Sequence, residues 1–216
     1  MASRDTRSLL PWAIVGSAII VILALGYAAG SMLETYNNDI GFAEEADRIA
    51  EILEVRPGIS VGDVRAGTGR WSVDLARRVG AGGMVYATPG PDPPSVIYET
   101  VASAGVDNVT VIVRTPGDAP RLPIACCEAI LVRFVYRHFE DRQRLTRSLS
   151  LTMKPGGRLA VIDWHAGALD GNTVSKETAI AEFTADGFEL VQTIDDWALG
   201  AYCLVFRKPA VESARR

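Results

Sequence analysis

Apolar and polar positions divide the chain into one long uncharged run followed by many short apolar ones. From Leu9 to Leu33 no residue carries a charge. As a helix those 25 residues would reach about 37 Å, more than the roughly 30 Å hydrocarbon core of a bilayer. This predicts an uncleaved transmembrane helix over 9–33, with Pro11 in its first turn and Trp12 and Tyr27 near the two interfaces. The competing expectation is a secretory signal, for which Ala24-Leu25-Gly26 and Gly26-Tyr27-Ala28 offer small residues. Signal apolar regions are typically about 7–15 residues, shorter than this run.

Beyond the run, Ile40, Ala43, Ala46, Ile49, Ala50 and Leu53 recur on one side of a helix over 39–54, which Pro57-Gly58 ends. Short strand-like segments then alternate with helical ones. The expected strands are 59–64, 83–88, 109–113, 128–134, 157–163, 188–194 and 201–207, and the expected helices 69–79, 93–104, 139–152 and 175–186. Such alternation predicts an α/β, doubly wound, mostly parallel seven-stranded sheet with helices on both faces. Only Asp195 to Gly200 separate the last two strands, too few residues for a crossover helix, so these two should pair as an antiparallel hairpin. The chain thus reads as a tail (1–8), the span (9–33), a linker (34–41), one domain (42–209) and a second tail (210–216).

Composition changes this picture little. Hydrophobic residues are 48% and charged residues 22% of the chain, as in folded domains. A net charge of −4 without a long basic cluster argues against a nucleic-acid partner. Cys126, Cys127 and Cys203 are too few for a disulfide framework, and with only His138 and His165 no metal site is expected. Arg4 and Arg7 precede the span, whereas no base follows it before Arg48. The positive-inside rule then places the N-terminus in the cytoplasm and the domain on the periplasmic or extracytoplasmic side. Gly26 and Gly30 form a G-x-x-x-G pair, a surface on which other membrane subunits could pack.

Candidate chemistry lies at the end of the first strand. Doubly wound sheets bind ligands at the carboxyl ends of their strands, beside glycine-rich turns, and here the turn is Asp63-Val64-Arg65-Ala66-Gly67-Thr68-Gly69. Further phrases follow in order: Pro120-Arg121-Leu122-Pro123, Val135-Tyr136-Arg137-His138-Phe139, Met153-Lys154-Pro155-Gly156-Gly157-Arg158, Val174-Ser175-Lys176-Glu177-Thr178 and Tyr202-Cys203-Leu204-Val205-Phe206. Together they resemble the class I S-adenosylmethionine-dependent methyltransferases, in particular the quinone-biosynthesis-like branch, over about residues 42–208. The resemblance implies a Rossmann-like fold and S-adenosylmethionine as cofactor. It also implies Asp63, Gly67, Gly69 and Asp118 as cofactor-binding residues, with Tyr136 and His138 near the cofactor and substrate pocket.

Two positions depart from the family pattern. Arg65 stands where a glycine lets the chain approach the cofactor. Pro89, in Val85-Tyr86-Ala87-Thr88-Pro89, stands where an acid accepts from the ribose hydroxyls, and proline offers no side-chain acceptor. Asp92, three residues later, could substitute, but Pro91 and Pro93 fix its direction. Within an apolar strand, Arg133 calls for a carboxylate or ligand partner, and Asp163 or Glu128 near the strand ends is the expected carboxylate. The two departures, with the expected topology, predict a membrane-anchored, non-catalytic, methyltransferase-like accessory or assembly subunit of a membrane complex, with no cofactor and no catalytic residue. The alternative is a membrane-tethered S-adenosylmethionine-dependent methyltransferase acting on a lipid-soluble, quinone-like substrate. A third reading has Arg65 drawing a different, anionic ligand into the cleft.

Overall fold

Seven strands form a single sheet: β1 (Ser60–Val64), β2 (Met84–Ala87), β3 (Val109–Val111), β4 (Cys127–Arg133), β5 (Met153–Trp164), β6 (Glu189–Ile194) and β7 (Ala201–Arg207). They lie in the order β3-β2-β1-β4-β5-β7-β6. The computed structural model describes residues 41–113, 120–165, 173–197 and 200–210. The span expected over 9–33 lies outside the described residues, and among the described residues no helix is long and apolar enough to cross a membrane.

β1 pairs in parallel with β2 and β4, β2 with β3, and β4 with β5. β7 runs antiparallel to both β5 and β6. The hairpin expected from the short Asp195–Gly200 connection is therefore present, and its second strand inserts between β5 and β6, leaving β6 at the edge. Among the described residues the α-helices are α1 (41–52), α2 (Arg70–Val79), α3 (Pro94–Ala104), α4 (Arg142–Thr152) and α5 (Lys176–Ala185).

Side chains alternate across each strand, and this alternation builds a core on each face. Ile130 and Val132 of β4, with Leu159 and Val161 of β5, pack with Leu145, Leu149 and Phe183 from α4 and α5. Ala129, Leu131, Ala160 and Ile162 point the other way, onto Ile49 and Ile52 of α1 and Leu75 and Val79 of α2.

Two elements start three or more residues away from the sequence expectation, and β3 ends at Val111, two residues short of the expected 113. α4 starts at Arg142, not at 139, because the Asp141 carboxylate accepts from the Arg144 N–H at 2.8 Å and caps the helix there. The preceding Tyr136–His138 form a single 3₁₀ turn. β5 begins four residues early, at Met153, which pairs with Cys127. The added stretch is held by Lys208, whose N–H donates to Gly157 O at 2.9 Å and whose carbonyl accepts from Gly156 N–H at 2.8 Å.

Candidate functional site

In the strand order, β2 and β3 lie on one side of β1, and β4 and all later strands on the other. The connections after β1 and β4 therefore leave in opposite directions and open a crevice at the carboxyl end of the sheet. Three segments border it: the turn 64–69, Thr88-Pro89 after β2, and 134–139 after β4.

The turn takes the left-handed conformation at Arg65 (φ 54), Gly67 (φ 55) and Gly69 (φ 85). At Gly69 the lack of a side chain is required by packing as well, since a Cβ would sit 3.0 Å from Ile97 Cγ2 on α3. At Gly67 a Cβ would meet nothing within 4 Å, so the backbone there faces open space. Thr88 clamps the turn from β2: its hydroxyl accepts from the Arg65 N–H at 2.9 Å and its carbonyl from the Ala66 N–H at 2.8 Å.

Asp63 lies beneath the turn and is buried. Ser72 Oγ, in the first turn of α2, donates to Asp63 Oδ2 at 2.6 Å. Burial pushes the carboxyl up to about 6, opposed by the Ser72 hydrogen bond and by the charge of Arg133.

Arg65 reaches across the crevice. Its Nη1 donates to the carbonyl of His138 at 3.2 Å, and its guanidinium carbon lies 3.9 Å from the centroid of the Phe139 ring. The side chain joins the turn after β1 to the segment after β4. Burial depresses its pKa.

Other site residues expected from the sequence are placed differently. Asp118 lies outside the described residues. Tyr136 belongs to the core: it is fully buried, and its hydroxyl donates to Glu182, which Arg142 Nη2 holds at 2.9 Å. The His138 side chain is exposed, and the carbonyl is the group it brings to the crevice. His165 Nε2 lies 2.8 Å from Asp195 O. Pro89 follows Thr88 at the crevice without a polar side chain, and Asp92 is exposed.

The expected pairing of Arg133 with Asp163 or Glu128 is not formed. Arg133 lies over the rings of Trp71 (4.6 Å) and Phe134 (4.4 Å), while Arg137 holds Asp163 and Lys154 holds Glu128 at 2.6 Å. Strand alternation explains the exchange. Arg133 shares a face with Leu131, toward α2, whereas Asp163 shares one with Val161, toward α4 and α5. Asp163 instead receives both the backbone N–H of Arg137, at 3.1 Å, and its guanidinium. Sequence reasoning missed Thr88, Ser72 and Arg137, because each is defined by a partner on another element.

A seven-stranded doubly wound sheet ending in an antiparallel hairpin, with a glycine turn and a buried acid at the switch point, is the class I methyltransferase architecture. Solved structures of that fold superpose well. An S-adenosylmethionine-dependent methyltransferase from Aquifex aeolicus matches with a TM-score of 0.67 and 20% identity, over 76% of this chain and 89% of that one. The [4+2]-cyclase SpnF matches with a TM-score of 0.64 and 17% identity, over 76% and 80%. Likeness at these identities speaks for the fold alone. The chain belongs to the ubiE/COQ5 methyltransferase family, whose model matches residues 43–175.

Among curated relatives, the ubiquinone/menaquinone biosynthesis C-methyltransferase UbiE of Bordetella parapertussis is 30% identical over 116 residues, covering 51% of this chain and 42% of that protein. The demethylmenaquinone methyltransferase of Listeria monocytogenes is 31% identical over 116 residues, covering 52% and 48%. The chain thus spans less than half the length of either relative.

Proposed function

We propose that this chain is an S-adenosylmethionine-dependent methyltransferase acting on a small, quinone-like acceptor. The carrying observation is the turn itself: Asp63 is locked by Ser72, Gly69 is packed on α3, and the Gly67 backbone is open to an approaching ligand. That donor set fits the cofactor along the turn, where Asp63, Gly67 and Gly69 would hold it. It fits less well at the second strand, where Pro89 supplies no acceptor to the ribose. The cofactor, when bound, supplies the methyl group; this chain's residues bind and orient it. A quinone-like acceptor is supported by the relatives, a ubiquinone/menaquinone biosynthesis C-methyltransferase and a demethylmenaquinone methyltransferase.

In the same reading, the 9–33 span tethers the domain at the bilayer, where a lipid-soluble acceptor resides. Asp118, if it faces the cleft, joins the cofactor-binding residues.

The test is calorimetry of the full-length chain in detergent with S-adenosylmethionine, followed by transfer of a labelled methyl group to a demethylated naphthoquinone. Micromolar binding with transfer supports the reading. No heat of binding at millimolar cofactor sinks it.

A second reading is favoured by Arg65 lying across the crevice and by Pro89. Here the domain is a non-catalytic accessory subunit of a membrane complex, engaged through the Gly26/Gly30 face of the span. Its natural setting is the extracytoplasmic side that Arg4 and Arg7 favour, where S-adenosylmethionine is not expected. Protease accessibility of the domain in intact cells, with any outer membrane permeabilised, separates the two. Digestion from outside supports the accessory role, and protection supports the enzyme.

A further inference from the structure

Arg65 is an expensive residue to keep in this turn. It occupies a left-handed backbone position, φ 54, which glycine adopts without strain. Its guanidinium is half-buried and depressed in pKa by that burial. Among the described residues its side-chain contacts are neutral: the His138 carbonyl at 3.2 Å and the face of Phe139 at 3.9 Å. The nearest acid along the chain, Asp63, is buried beneath the turn and held by Ser72.

A guanidinium has five donors in a planar fork, and the His138 carbonyl engages Nη1 alone. A half-desolvated cation with spare donors, beside open backbone at Gly67, is arranged for a planar anion. Carboxylates suit the fork best, since they accept two parallel hydrogen bonds, each roughly twice as strong as a neutral one.

Resting on the methyltransferase reading above, we propose that Arg65 is the carboxylate receptor of the cleft and that it grips the amino-acid end of an S-adenosyl ligand. The His138 carbonyl and the Phe139 ring hold the side chain across the crevice until a carboxylate replaces them. The residue that breaks the family's glycine pattern then adds a contact to the same ligand, and partly offsets the acceptor lost at Pro89.

The test compares two ligands that share the thioadenosine half and differ in the amino-acid half: S-adenosylhomocysteine, which carries the carboxylate, and 5′-methylthioadenosine, which lacks it. Affinities of the full-length chain in detergent are measured by calorimetry for wild type, Arg65→Met and Arg65→Lys. Methionine keeps an unbranched stem and the backbone demand of position 65 while removing the charge and its donors, and thermal melting checks that each variant folds.

Wild type should prefer S-adenosylhomocysteine by about tenfold or more, the range of a charge-assisted hydrogen bond. Arg65→Met should lose most of that preference with its affinity for 5′-methylthioadenosine unchanged. Arg65→Lys should keep a part, as a point charge without the fork. An undiminished preference in Arg65→Met overturns the proposal while leaving the methyltransferase reading intact. Tighter binding of S-adenosylhomocysteine by Arg65→Met than by wild type overturns it differently, making Arg65 a plug and favouring the accessory role. Binding of neither ligand by any of the three proteins removes the methyltransferase reading, and this proposal with it.

Discussion

The backbone N–H of Arg65 donates to the hydroxyl of Thr88 over 2.9 Å, tying the turn after β1 to the end of β2. Thr88 is fully buried, so no water replaces it. Thr88→Val keeps the shape and removes the acceptor, leaving that N–H unpaired at a cost of about 1–3 kcal/mol. The variant should melt at lower temperature and bind adenosyl ligands more weakly, whereas Thr88→Ser should retain most of both properties. Equal melting of Thr88→Val and wild type would show that the hydroxyl does not hold the turn.

Pro89 stands at the crevice where a ribose acceptor is missing. Pro89→Asp supplies a carboxylate there, and a hydrogen bond to a charged group is worth about 1.5–3 kcal/mol. Affinity should rise on the order of tenfold for both S-adenosylhomocysteine and 5′-methylthioadenosine, because the ribose is common to them. A gain confined to one of the two would place residue 89 away from the sugar.

Asp63 should leave a signature in the pH dependence of stability. Its folded-state pKa is raised to about 6, from an ordinary 3.8, chiefly by burial. Burial favours the neutral form, so stability is greatest below the unfolded pKa and falls as the pH rises through the folded one. Asp63→Asn has no charge to bury. Its stability relative to wild type should climb by about 3 kcal/mol between pH 4 and pH 7 and then level off. Denaturant titrations across that window check this, and a flat difference would contradict a buried, ionising Asp63.

The two glycines of the turn should respond differently to alanine. At Gly69 (φ 85) a Cβ meets Ile97 Cγ2 at 3.0 Å, so backbone strain and overpacking add to about 2–5 kcal/mol. Gly67 (φ 55) has open space, leaving only backbone strain of about 1–2 kcal/mol. The Gly67 methyl, however, would project where a ligand approaches. Gly69→Ala should therefore lose more melting temperature, and Gly67→Ala more ligand affinity for each degree lost.

The chain by itself determined the alternation of strands and helices, the hairpin after Ile194 and the glycine turn at the first strand. These depend on short-range quantities: a period of two or 3.6 residues, a connection too short for a crossover, and a residue type needed for a left-handed backbone. Charge partners were decided elsewhere. Arg133 and Asp163 lie on adjacent strands and would pair on proximity alone, but the pleat sends them to opposite faces, and Arg137 takes the acid. The start of β5 at Met153 likewise depends on Lys208.

The same holds for the crevice. Asp63, Gly67 and Gly69 were legible as a motif, because the motif is contiguous. Arg65 was legible only as a departure from it. That its side chain crosses to His138, 73 residues along the chain, followed from the placement of β4 beside β1, on the side away from β2. Local patterning carries no record of which strands become neighbours. Burial of both sheet faces selects that order, and with it the residues that face one another across the cleft.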